Sequence, residues 1–130
     1  MIIDTSVIVA IMKEESDAAA IHTALIDAET SLFMSAATYL ETAIVVDGLR
    51  QPLLSGRLDE IIEEFDIEIA PVTESQARIA RKAYCDFGKG TGHPASLNFG
   101  DCFAYALATE RNEALLFKGD DFNHTDIRRV

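Results

Sequence analysis

Four places in the chain set carboxylates against apolar sequence. Asp4 ends the run MIID, with VIVAIM just behind it. Glu41 lies within YLETAIVV; its helical neighbours at three and four residues are Thr38 and the apolar Ala37, Ile44 and Val45. Asp101 leads GDCFAYALA, with Ala104, Tyr105 and Ala108 on its helical face, and Asp120 and Asp121 follow ALLFKG. Each has an ordinary reading. Asp4 can cap a helix, Glu41 can pair with a buried arginine, Asp101 can be a first-turn acid favoured by the helix dipole, and Asp120 and Asp121 suit a turn. Together they exceed what capping requires. Two like charges about 5 Å apart repel by about 3 kcal/mol at an effective dielectric of 20, so a cluster holds either protons or a cation. No group of Cys or His competes for zinc, and oxygen donors alone suit Mg²⁺ or Mn²⁺. Such ions serve phosphate chemistry by polarising a phosphoryl oxygen and activating a bound water.

These acids need a scaffold that gathers them. Ile2 and Ile3 read as a short buried strand, and Thr5 or Ser6 as the cap of a helix from Val7 to Met12. Ser16 precedes a second helical pattern over 17–29, and SLFM is a second strand. Helices follow over Ala36–Arg50 and Leu53–Phe65, the latter with Leu54, Leu58, Ile61, Ile62 and Phe65 at helical spacing. IEIAPV is a third strand, and Thr73 to Gln76 fits a capping box that opens a long helix through Phe87. GKGTGHPASLNFG is a Gly/Pro-rich loop, Asp101–Arg111 a further helix, ALLF a fourth strand, KGDDFNHTD a loop, and Ile127–Val130 a fifth, edge strand. Strands alternating with helices predict a parallel sheet covered on both faces. In such a sheet a site forms outside the carboxyl ends of the strands. Asp4 and the Asp120–Asp121 pair share that crevice if the first and fourth strands are near neighbours, since paired strands lie only about 4.8 Å apart.

With 130 residues and 48% hydrophobic content, one domain over residues 1–130 can bury its own core. No apolar run approaches the roughly 20 residues of a membrane span, and the start of the chain lacks the basic region and cleavage site of a signal peptide. The expectation is a soluble cytoplasmic protein. Cys85 and Cys102 are the only cysteines, without metal-ligand spacing, and are expected as free thiols. The net charge of −11 argues against holding a nucleic-acid backbone, except that a carboxylate cluster loaded with cations accounts for part of it.

The basic candidates are few. Arg78, Arg81 and Lys82 share a helical face, with Lys89 beyond it, and serve either as a solvated face balanced by nearby acids or as a track for RNA. Lys118, beside Asp120, is the stronger candidate for a phosphate contact. His22 suits a structural or exposed role, His93 lies in the Gly-rich loop, and His124 follows GDDF within reach of RNA. None is needed as a general base where a metal supplies the nucleophile. The apolar faces of the third and fourth helices are broad enough to form a dimer seam or a groove for a partner helix as well as core.

MIIDTS, YLETAIV, FGDCFAYALA and LLFKGDDF, in this order and spacing, resemble the PIN-domain ribonucleases and, more narrowly, the VapC toxins of type II toxin–antitoxin systems. The resemblance spans essentially the whole chain. It implies an α/β protein, a three-layer α/β/α sandwich around a central, mostly parallel sheet that the reading above makes five-stranded. It also implies Mg²⁺- or Mn²⁺-dependent endoribonuclease activity, a homodimer, and inhibition by a cognate VapB-type antitoxin. By motif, Asp4 and Asp101 would be the main metal ligands, and Glu41 would ligate a second ion or orient the water. Asp120 is taken as the fourth site acid; Asp121 is also available but is expected to cap the turn before Phe122. Thr5 and Ser6 resemble the small hydroxyl residues beside the first acid, able to bond it or a phosphate. Two rivals remain. A haloacid-dehalogenase-like phosphohydrolase also places an acid after strand one and a late Gly-Asp-Asp, but needs a second aspartate where this chain has Ser6. A PIN-like module without catalysis would bind RNA or an antitoxin, and its RNA binding would survive Asp4→Asn.

Overall fold

The computed structural model describes residues 1–130. Four strands, β1 (Ile2–Ile3), β2 (Leu32–Ser35), β3 (Ile67–Ala70) and β4 (Leu115–Leu116), form a sheet in the order β3-β2-β1-β4, and all three pairings are parallel. Ile2 faces Phe33 of β2 on one side and Leu115 of β4 on the other. The first and fourth strands are thus direct neighbours, as the shared crevice requires. Six helices connect them: α1 (Thr5–Met12), α2 (Ala18–Ile26), α3 (Ala36–Gly48), α4 (Pro52–Glu64), α5 (Glu74–Phe87) and α6 (Asp101–Arg111).

Alternation along the strands divides the core in two. Ile2, Ala70 and Leu115 join the buried faces of α5 and α6, where Ala80, Ala83, Ala104 and Ala108 allow close approach to the sheet. Ile3, Leu32, Met34 and Ile67 point the other way, onto Val7 and Ile8 of α1, Leu25 of α2, and Leu58 and Ile61 of α4. Side chains of successive strand residues leave on opposite faces, so two isoleucines in a row suffice to tie β1 to both layers. The result is the expected α/β/α sandwich.

Three local expectations change. Ile127–Val130 is no full strand: Arg129 makes a single parallel bridge to Leu115, so the sheet has four strands. The cap of α1 is Asp4, in place of Thr5 or Ser6, and its carboxylate accepts from the Ser6 amide. The capping box of α5 is half made. Thr73 Oγ1 accepts from the Gln76 amide at 3.1 Å, but the Gln76 side chain turns to Glu110 at 2.7 Å. Cys85 is exposed and Cys102 buried, both as free thiols. No helix is long and apolar enough to cross a membrane.

Candidate active site

The acids are delivered by four separate segments. Asp4 leaves β1 and caps α1, Glu41 lies on α3 directly after β2, Asp101 opens α6, and the Asp120–Asp121 pair follows β4 on a single 3-10 turn, Asp121–His124. Because the strands are parallel, the exits of β1, β2 and β4 lie at one edge of the sheet.

Each inner acid is held by a local donor. Asp4 is buried, and its Oδ2 accepts from the Ser6 amide at 3.0 Å and the Ser6 hydroxyl at 2.6 Å. Ser6 Oγ in turn accepts from the Lys118 amide at 2.9 Å. Glu41 Oε2 accepts from the Thr5 hydroxyl at 3.0 Å, and Thr42 Oγ1 lies 3.0 Å from that hydroxyl. Asp101 and Asn98 bond reciprocally: the Asp101 carboxylate accepts from the Asn98 amide at 2.8 Å, and the Asn98 side chain accepts from the Asp101 amide at 2.9 Å. This is a capping box that fixes the start of α6. The pattern N-x-x-D was present in the sequence as a signal for it. Gly100 is a further residue that sequence reasoning missed. A methyl group at its Cα would overlap the Glu41 carboxylate, so glycine leaves the tip of that side chain room at the start of α6.

The electrostatics tie the acids together. Burial raises the pKa of Asp4 above the usual carboxylate value, against the Ser6 hydrogen bonds, and the charge of Asp121 adds to the rise. Burial also raises Glu41, with the Thr5 hydroxyl opposing and the charge of Asp4 adding. Asp101 is pushed up to about 7, chiefly by burial and then by the charges of Asp4, Asp121 and Glu41, with the Asn98 amide opposing.

Asp120 lies at the rim of the site. Its side chain is 75% exposed and accepts from Asn123 Nδ2, while His124 Nε2 lies 2.8 Å from its other oxygen. These two bonds hold its pKa below the usual value. Asp120 stands at the cap position of the turn, and the charge of Asp121 acts on Asp4 and Asp101. The Lys118 ammonium, expected as a phosphate contact, is engaged by Glu15 and Asp17. Arg78 and Lys82 pair with Glu74 and Asp86 on the exposed face of α5. His93 accepts from the Ala95 amide within its own loop, and His22 packs edge-on against Phe65.

A model of the PIN domain family matches residues 1–128. Ribonuclease VapC28 of Mycobacterium tuberculosis is 57% identical over 130 residues, covering 100% of this chain and 97% of that protein. The chain is a PIN domain of the VapC family. The fold agrees across much larger sequence distances. M. tuberculosis VapC20, described as a sarcin–ricin-loop-cleaving toxin, has a TM-score of 0.79 at 13% identity and is matched over 99% of this chain and 97% of its own. VapBC2 from Rickettsia felis, solved with a DNA fragment from its promoter, has a TM-score of 0.75 at 12% identity, over 98% of this chain and 94% of that one.

The donor set fits a hard divalent cation. Asp4, Glu41, Asp101 and Asp121 offer only carboxylate oxygens, and the Cys102 thiol beside them is turned to the Asn98 carbonyl. No three of the chain's His, Cys, Asp and Glu side chains are gathered closely enough to hold an ion. Each inner acid of this PIN domain is tied to a local donor. Beside Glu41, the exposed Leu40, Ile44 and Val45 of α3 and Phe99 line an apolar groove of about 450 Å³.

Proposed function

We propose that the chain is a Mg²⁺- or Mn²⁺-dependent endoribonuclease, the toxin of a type II toxin–antitoxin pair. One observation carries the reading: Asp4, Glu41 and Asp101, from three separate segments, are buried or half-buried near one another at the strand ends, so that burial first and then neighbouring carboxylate charges, Asp121's among them, raise their pKa. A fold does not gather four acids without a use for the charge. The names of the VapC relatives point the same way.

In this reading Asp4, Asp101, Asp121 and Glu41 hold the ion, and Asp121 replaces Asp120 as the fourth acid. Bound there, Mg²⁺ or Mn²⁺ supplies a water of lowered pKa and polarises the scissile phosphate. Asp4 and Asp101 are held for ligation by Ser6 and Asn98. Glu41, oriented by Thr5, orients the attacking water or takes its proton. The exposed apolar face of α3 suits a second copy of the chain or a helix of a VapB-type antitoxin.

The test is a cleavage assay on total cellular RNA with Mg²⁺ or Mn²⁺, with EDTA and Asp4→Asn as controls. Discrete fragments that need both metal and Asp4 are the expected result. Intact RNA from folded, antitoxin-free protein in either metal would overturn the reading in favour of a binding module.

A further inference from the structure

Lys118 stands two residues past β4, and its side chain reaches back across the chain. The ammonium is paired with Glu15 and lies 2.8 Å from Asp17 Oδ1, residues 103 and 101 positions earlier in the segment between α1 and α2. The three side chains are only 33%, 34% and 42% exposed. Two adjacent carboxylates on one ammonium repel each other when it is removed, so the cation holds this segment against the exit of β4. The same residue donates its backbone amide to Ser6 Oγ at 2.9 Å. A hydroxyl has one proton and two lone pairs. With a lone pair engaged by the Lys118 amide, the Ser6 proton points to Asp4 Oδ2 at 2.6 Å. Immediately after Lys118 the chain turns at Gly119, whose φ of +108° suits glycine, and delivers Asp121.

We propose that Lys118 is a positioning residue: clamped by Glu15 and Asp17, it sets the Ser6 hydroxyl and through it the Asp4 carboxylate, and it anchors the turn that carries Asp121. A phosphate contact by the same ammonium would have to break two ion pairs. The proposal rests on the metal-dependent nuclease reading for its consequence, while the clamp itself is a feature of the metal-free chain.

The experiment compares wild type with Lys118→Met, Lys118→Arg, the pair Glu15→Gln/Asp17→Asn, and the triple combination with Lys118→Met. Three readouts are taken on folded protein: amide hydrogen exchange at Lys118, Mn²⁺ affinity by titration calorimetry, and kcat and KM on RNA. Partners that orient metal ligands typically alter affinity or activity by about 10–100-fold. Lys118→Met and the acid pair are each expected to speed exchange at residue 118, weaken Mn²⁺ by that factor and lower kcat with KM little changed. The triple variant should lose no more than either parent, and Lys118→Arg should retain most of each property. If the acid pair instead tightens RNA binding, and Lys118→Met raises KM without touching Mn²⁺ affinity, the lysine is a phosphate contact and the proposal fails. Unchanged exchange and affinity in both also defeat it. Should Lys118→Met not fold, the acid pair decides. A wild type that neither binds Mn²⁺ nor cleaves RNA overturns the nuclease reading alone, because exchange at residue 118 still decides the clamp.

Discussion

The acids of the site occupy two unlike settings. Asp4 at the cap of α1, Glu41 on α3 and Asp101 at the start of α6 each have a local donor, in Ser6, Thr5 or Asn98. Asp120 and Asp121 ride a single 3-10 turn at the rim, both exposed. Burial raises the pKa of the inner three, whereas Asp120 is held low by partners of its own turn. Burying the inner acids costs stability, whereas the rim acids stay solvated.

Removing an inner charge should therefore affect activity most. Asp4→Asn keeps a capping side chain for α1, since asparagine caps as well as aspartate. It should nonetheless cut RNA cleavage by about 10²–10³-fold, the scale of losing a group that stabilises developing charge. The same change should raise the melting temperature of the metal-free protein, because a buried like charge is gone. A mutant that is inactive but less stable would make Asp4 a structural cap and dissolve the contrast between the two settings.

Gly100→Ala tests the seat of Glu41 without touching an acid. The new methyl meets the Glu41 carboxylate, so the tip of that flexible side chain must swing away, at little cost to the fold. Cleavage should fall together with metal affinity, and a thermal melt alongside the Mn²⁺ titration separates a displaced Glu41 from a loosened fold.

The rim itself divides by a smaller effect. Asp121→Asn should weaken Mn²⁺ binding and cleavage by about tenfold, equivalent to 1.4 kcal/mol. Asp120→Asn should leave both nearly unchanged and cost only the bonds to Asn123 and His124. Equal losses from the two, measured by titration and cleavage rate, would mean that the turn rearranges when an ion arrives.

This division also marks what sequence could and could not reveal. The inner acids were legible because each interrupts an apolar pattern, whereas the neighbouring of β1 and β4 stood only as a condition, since alternating strands and helices imply a parallel sheet without fixing its strand order. Asp120 against Asp121 was not legible. Both are exposed, and how each is directed depends on the φ of Gly119 and on contacts with Asn123 and His124, neither of which leaves a periodic trace. The partners of Lys118 lie about a hundred positions away, beyond any local pattern. Gly100 was read as the end of a loop, since nothing local says that a carboxylate from α3 will rest on it. The helical pattern around Glu41 was legible but misdirected: Ile44 and Val45 are exposed, while Thr38, Thr42 and Val46 are buried. An apolar stripe meant for a partner has the same spacing as one meant for the core.

The pH dependence of the metal-free protein separates the two settings once more, this time by its sign. Asp101 ionises at about 7 in the fold, against an ordinary value of 3.8. Between those values the native state keeps a proton that the unfolded chain has released. The unfolded state binds fewer protons there, so stability falls as pH rises through the window and levels off above it. Asp4 and Glu41, raised for the same reason, act in the same direction. The low pKa of Asp120 acts oppositely, but that side chain is exposed and screened. Thermal melts in EDTA across the window should show the metal-free protein losing stability toward neutral pH, with a flatter profile in Asp101→Asn. Mn²⁺ affinity should rise over the same range, because ligation competes with the proton on Asp101. A metal-free protein whose stability climbs steadily toward neutrality would mean that the inner acids are solvated like the rim, and the distinction between the two would fail.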